Sequence, residues 1–174
     1  MCIRDSLITA KSEPVFGCVY KLVAVEDKDG NIVPKIKISE NVGKITTPHF
    51  KKLYRFYGRD TGKAIADYLT VYDETVDDSQ NLEIFDPDAT WKRKEVYHFE
   101  ARELLVPIYQ KGKLVYKRPG IEEIKKYCTE QVDTLWDEVK RFDNPHNYYV
   151  DLSQKLYDIK TELLNEKNER YEKN

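Results

Sequence analysis

The sequence predicts an α+β fold in which antiparallel β-hairpins precede a helical tail. Three observations lead there. Runs rich in β-branched and aromatic residues recur between glycine-bearing turns until Pro119-Gly120. After that point the apolar residues switch to helical spacing. Tyrosine is abundant, with 13 copies beside 6 Phe and 2 Trp, and its apolar ring with a polar tip suits half-buried sheets and interfaces.

Val15 to Val25 (VFGCVYKLVAV) reads as a strand that is apolar on both faces and therefore buried on both. Asp27-Lys28-Asp29-Gly30-Asn31 is a turn. Ile32 to Ser39 alternates as a half-exposed strand, with Pro34 marking an edge or a bulge. Residues 40–52 read as loop. A second hairpin joins Leu53–Tyr57 to Ala64–Tyr72 across Gly58 to Lys63. Asp73 to Asn81 is an acidic loop, and Leu82 to Trp91 reads as irregular because Asp86-Pro87-Asp88 breaks it. A third hairpin runs Leu104–Tyr109, turns at Lys111-Gly112 and returns over Leu114–Lys117.

In the tail, Ile121, Ile124, Cys128, Val132, Leu135, Val139 and Phe142 form one stripe at helical period. The plain expectation for it is core packing; the other reading is a partner groove. Asp143-Asn144-Pro145 ends that helix. Residues His146 to Val150 then read as a packed joint or as a docking patch. A second helix starts near Asp151, read as its cap with Gln154 reaching back, and frays beyond Asn165.

The 174 residues are 40% hydrophobic and 34% charged, with a formal charge of -2. A chain of this size buries roughly 70% of its unfolded surface, enough for a core. The charge balance gives no basic footprint for nucleic acid. No apolar run approaches the roughly 20 residues that span a bilayer. Cys2, Cys18 and Cys128 are odd in number and far apart, which argues against a disulfide framework and fits the cytoplasm.

Local chemistry gives little. His49, His98 and His146 have no metal-ligand spacing, so no metal site is expected. Gly58-Arg59-Asp60-Thr61-Gly62-Lys63-Ala64 has too short a spacing for a phosphate loop and lacks its hydroxyl residue, so it reads as a hairpin turn. Lys21 is more informative. It lies among Val19, Val23 and Val25, while Tyr20 is on the opposite face of the same strand. A buried ammonium needs an anionic partner, either a structural carboxylate or a bound phosphate or carboxylate.

Longer motifs carry a resemblance. PVFGCVYKLVAVE at Pro14 to Glu26, KIKISEN at Lys35 to Asn41, and ITTP at Ile45 to Pro48 resemble nicotinate phosphoribosyltransferases. So do DTGKAIAD at Asp60 to Asp67, RELLVPIYQKGKLVY at Arg102 to Tyr116 and NPHNYYVDLS at Asn144 to Ser153. The resemblance covers nearly everything after Ser6. Met1 to Ser6 resemble a translated sequencing adaptor, a non-native artefact, and stand outside the fold reading.

The resemblance implies that residues 7–50 are hairpins from the edge of a phosphoribosyltransferase catalytic body. Residues 51–174 would be its C-terminal domain, with hairpins over 51–120 and helices over 121–174. It implies transfer of a phosphoribosyl group from phosphoribosyl pyrophosphate to nicotinate. ATP would be the co-substrate and magnesium the ion, both in the full-length enzyme. The catalytic histidine and the glycine-threonine phosphate turn of the family lie upstream of the matched region. No catalytic residue is therefore expected in this chain, which alone would be inactive. Tyr20 and Lys21 are the substrate-proximal candidates. The implied partners are the N-terminal catalytic portion and, since the family acts as monomers or dimers, a second copy. One departure stands out: the family carries Pro-Gly before a basic residue where this chain has Pro48-His49-Phe50-Lys51. A fragment of a nicotinamide phosphoribosyltransferase, or a non-enzymatic interaction module, are the alternative readings.

Overall fold

The computed structural model describes residues 19–172. Its centre is a four-stranded sheet built from β3 (Lys51–Gly58), β4 (Ala64–Val71), β7 (Phe99–Glu103) and β10 (Val150–Leu152), in the order β10-β4-β3-β7. β3 pairs antiparallel with both β4 and β7, while β10 joins β4 in parallel. Three two-stranded hairpins accompany it: β1 (Ala24–Glu26) with β2 (Ile32–Pro34), β5 (Leu82–Asp86) with β6 (Ala89–Val96), and β8 (Tyr109–Gln110) with β9 (Lys113–Leu114). The helices are α1 (Ile121–Asp133), α2 (Asp137–Lys140) and α3 (Gln154–Glu172). Mixed α+β architecture with antiparallel hairpins is thus what the chain adopts.

Side-chain alternation splits the central sheet into two packed faces. On one, Tyr54, Phe56, Ala66 and Tyr68 meet Ile84, Val96 and Phe99 in the main core. Phe56 is fully buried and tilts against Phe99 at 4.7 Å between ring centroids. On the other, Val71, Leu152 and Leu156 pack together, so α3 covers β4 and β10.

Several local readings of the sequence change. The described part of Val15–Val25 is not a buried strand: β1 holds only Ala24–Glu26, and Val19 and Tyr20 are each 86% exposed. Val15 to Cys18, and Met1 to Ser6, lie outside the described residues. β2 stops at Pro34, which pairs with Ala24 at a non-hydrogen-bonded position, so its missing N–H is tolerated and Lys35 N–H still donates to the Val23 carbonyl at 2.8 Å. Leu82–Trp91 is not irregular; it belongs to β5 and β6, with a register shift at Phe85/Asp86 that absorbs the Asp86-Pro87-Asp88 break. The third hairpin is short, and its Lys111-Gly112 turn has φ of 47° and 75°, the paired left-handed geometry of a tight hairpin.

The tail helix is broken where the stripe looked continuous. The chain leaves the helix at Thr134 to Trp136, where Lys63 and Ala64 engage it, the Ala64 N–H donating to the Thr134 carbonyl at 2.9 Å. Lys63 Nζ donates to the carbonyls of Asp133 and Leu135 at 2.8 and 3.3 Å, and Trp136 Nε1 donates to Ala64 O at 3.1 Å. The stripe is also exposed rather than core: Ile121, Ile124, Val132 and Phe142 all face solvent in this chain. Asp151 is not a helix cap. It is a buried residue of β10, and Ser153 caps α3 by accepting from the Leu156 N–H at 3.2 Å. α3 continues past Asn165 to Glu172.

His49, at the position where the resemblance implies glycine, keeps a glycine-like backbone. Its φ is 75°, in the left-handed region that glycine adopts without strain. Burial of the imidazole, stacked on Tyr72 with centroids 6.0 Å apart, offsets that strain. Lys51 completes the loop by donating its ammonium to the carbonyls of Thr47, Pro48 and His49 at 2.7 to 3.2 Å. Burial lowers the Lys51 pKa below its ordinary value.

Candidate functional site

Two clefts open beside the edge strand β10. The larger, about 640 Å³, is lined by the Gly58–Thr61 turn, His98, Trp136, His146 and Tyr148. The smaller, about 230 Å³, lies under the β5–β6 hairpin, with Ala66, Ile84 and Phe85 as walls and Asp86 and Asp151 as its acidic groups. Ile65, Lys94 and Tyr149 line both, so the two are contiguous.

A charged clamp ties β3 and β4 to Tyr148 and Tyr149, which line the clefts. Arg55 and Asp67 are directly opposite across β3 and β4. Arg55 donates from Nε and Nη2 to the two carboxylate oxygens of Asp67 at 2.7 and 2.9 Å, the bidentate geometry that suits a guanidinium. The Tyr148 hydroxyl donates to Asp67 at 3.0 Å, and the Asp67 N–H donates to the Tyr149 carbonyl at 3.1 Å. The Arg55 guanidinium also sits 5.6 Å from the centre of the Tyr148 ring. Hydrogen bonding to Asp67 raises the Arg55 pKa; burial, then the Asp67 charge, raises that of Tyr148. These bonds tie Tyr148 and the Tyr149 backbone to β4, while His146, Asn147, Tyr149 and Val150 are exposed in this chain.

Asp151 is the most perturbed carboxyl here. It is 4% exposed, and burial followed by the nearby Asp86 charge raises its pKa to about 6, with Lys94 opposing. Tyr68, its register partner on β4, is pushed to about 12, chiefly by burial.

The candidates read from sequence fall elsewhere. Tyr20 and Lys21 are both exposed and precede β1, away from the clefts' lining. Since water reaches Lys21, the demand for a buried anionic partner does not arise in this chain. His98 and His146 come together at the larger cleft, which their spacing had not indicated; His98 Nε2 lies 3.1 Å from Asp60 Oδ1. Among the described residues no group of three or more His, Cys, Asp or Glu could hold a metal ion. No described helix is long and apolar enough to cross a membrane. Cys128 is an exposed free thiol; Cys2 and Cys18 lie outside the described residues. Sequence reasoning missed Asp67 and Asp151. The signal for Asp151 was its single acidic position inside the apolar run Tyr148-Tyr149-Val150-Asp151-Leu152, which fits a strand better than a cap.

The sequence model for the nicotinate phosphoribosyltransferase C-terminal domain matches residues 50–160, from the loop before β3 into α3. The chain belongs to the nicotinate phosphoribosyltransferase family. It is 41% identical to nicotinate phosphoribosyltransferase of Bacillus subtilis over 170 residues, covering 98% of this chain and 34% of that protein. It is 35% identical to the Caenorhabditis elegans nicotinate phosphoribosyltransferase over 157 residues, and 31% identical to the human one over 155. Those matches cover 89% and 88% of this chain, but 27% and 28% of the relatives. The chain thus spans about a third of the length of the curated relatives it matches. The crystal structure of human nicotinic acid phosphoribosyltransferase superposes with a TM-score of 0.62 at 24% identity, over 68% of this chain and 24% of that one. That likeness establishes a shared fold.

Proposed function

We propose that this chain is the C-terminal domain of an enzyme that makes nicotinate mononucleotide and pyrophosphate from nicotinate and phosphoribosyl pyrophosphate, in NAD biosynthesis. The single supporting observation is the match of residues 50–160 to this family's C-terminal domain, in relatives that all carry the nicotinate phosphoribosyltransferase name. ATP hydrolysis would drive the step in the full-length enzyme, with magnesium beside its polyanionic substrates. Residues 7–50 would belong to the catalytic body and 51–174 to the C-terminal domain. The exposed apolar residues Leu105, Val106, Ile124 and Tyr127 favour a domain that packs against that body. The whole enzyme would work in the cytoplasm as a monomer or homodimer. The shared name of the relatives favours nicotinate over nicotinamide as substrate.

Within this reading the 174 residues alone contribute no catalytic group. Incubated with nicotinate, phosphoribosyl pyrophosphate, ATP and magnesium, the purified chain is expected to form no nicotinate mononucleotide above a no-protein blank. Detectable product would overturn the reading and point to a complete enzyme within the chain. The same absence with an intact, longer gene product would favour an interaction module instead.

Lys21 and its neighbour Tyr20 are the residues we place nearest the substrate. An exposed cation ahead of β1 is free to face a phosphate held by the catalytic body. In the intact enzyme, Lys21→Met is expected to raise the KM for phosphoribosyl pyrophosphate roughly tenfold, the scale of one charge-assisted contact, with kcat and the unliganded melting temperature nearly unchanged. A variant with lower melting temperature and unaltered KM would assign Lys21 a structural role.

A further inference from the structure

We propose that Lys51 is a positioning residue: its ammonium holds the loop that sets residues 19–23, and with them Lys21, against the central sheet. The proposal rests on the placement of Lys21 beside phosphoribosyl pyrophosphate given above. Lys51 Nζ lies 2.9, 3.2 and 2.7 Å from the carbonyl oxygens of Thr47, Pro48 and His49. An ammonium has three N–H donors, so these carbonyls take up its whole capacity. No carboxylate among the described residues pairs with it. Its charge therefore acts on backbone geometry.

The caged stretch lies between two bodies. On one side, Lys51 opens β3, in register with Val71 of β4, and the Phe50 carbonyl accepts from the Tyr72 N–H at 3.0 Å. On the other, the loop meets the β1–β2 hairpin at both of its ends. The Thr46 hydroxyl accepts from the Lys37 N–H at 3.0 Å, and the His49 N–H donates to the Val23 carbonyl at 2.8 Å. That same carbonyl accepts from the Lys35 N–H at 2.8 Å, so one oxygen joins the hairpin to the loop. Val23 is two residues from Lys21 in the segment entering β1, and a shift of the loop is carried to Lys21.

The loop needs the cation. Three successive carbonyl dipoles aimed at one point repel one another. His49 also sits at φ 75°, a region that a non-glycine residue enters at a cost. The ammonium offsets both effects. Without it the loop relaxes and the bond from His49 to Val23 is released.

The test has two arms. In the 174-residue chain, NMR-detected hydrogen exchange should show the His49 amide exchanging at least about tenfold faster in Lys51→Met, while the paired amides of β3 and β4 keep their rates. Lys52→Met removes a neighbouring ammonium that donates to the Glu74 carbonyl, and should leave His49 unchanged. Lys51→Gln keeps a donor, so it should give a smaller change of the same sign, and it replaces the methionine variant if that one does not fold. In the full-length enzyme, Lys51→Met should raise the KM for phosphoribosyl pyrophosphate by up to the roughly tenfold expected of Lys21→Met, with kcat nearly unchanged. Combined with Lys21→Met it should add nothing, because a residue that acts through Lys21 has no effect once that charge is gone. An unchanged His49 rate in Lys51→Met, or KM effects that multiply in the double variant, would overturn the proposal. A Lys21→Met enzyme with unaltered KM would overturn the substrate placement beneath it; the exchange arm uses no substrate and so tells the two failures apart.

Discussion

Asp67→Ala is expected to destabilise the domain by about 3–5 kcal/mol, the usual result of removing one partner from a largely buried ion pair. The physical reason lies in what remains. Arg55 is left with a guanidinium whose side chain is 20% exposed and whose two acceptors are gone. Tyr148 loses its acceptor at the same time. The partial exposure of Arg55 lets water recover some of the loss, which places the expected value near the lower end of the range. Tyr148→Phe keeps the ring over Arg55 and deletes one hydroxyl, so it should cost only about 1 kcal/mol. Urea unfolding of the three proteins checks the order. A loss below about 1 kcal/mol for Asp67→Ala would mean that the clamp is decorative and that packing alone holds residues 146–149.

Asp151→Asn is expected to act in the opposite direction and to do so only above acidic pH. The folded carboxyl titrates at about 6, against 3.8 for the ordinary group. Between those values the folded state holds a proton that the unfolded state has released. Folding stability therefore falls as pH rises from about 4 to about 6 and stays lowered above that. A tenfold difference in proton affinity between the folded and unfolded states is worth about 1.4 kcal/mol, so the wild-type cost at pH 8 is about 2–3 kcal/mol. Asparagine approximates the neutral acid and carries no such cost. The variant should match the wild type near pH 4 and exceed it by about 2 kcal/mol at pH 8. Parallel stability curves across that range would show that water or a counter-ion already solvates Asp151.

Short-range chemistry was enough to read much of this molecule. The Gly58–Lys63 and Asp27–Asn31 turns, the β3–β4 hairpin and the switch to helix at Ile121 all follow from residue type and spacing over a few positions. Family membership was legible as well, because motifs such as GCVYKLV and NPHNYYVDLS are ordered words that survive without any structure. Other features depended on contacts across long sequence separations. The helix break at Thr134–Trp136 lies where Lys63 and Ala64, about 70 positions away, engage its carbonyls and its indole N–H. The β5–β6 hairpin forms through a Pro-containing break because a register shift and the main core absorb it. Asp151 is a strand residue because β4 offers a parallel edge to Val150–Leu152, and a parallel pair closed over some 80 residues leaves no local periodicity to read. The clefts share that origin: Lys94, Tyr149 and Asp151 line one cleft only once the β5–β6 hairpin and β10 are brought together. Burial, unlike propensity, is a property of what the rest of the chain covers, and this is why Lys21, apolar in its neighbours, stands in water here.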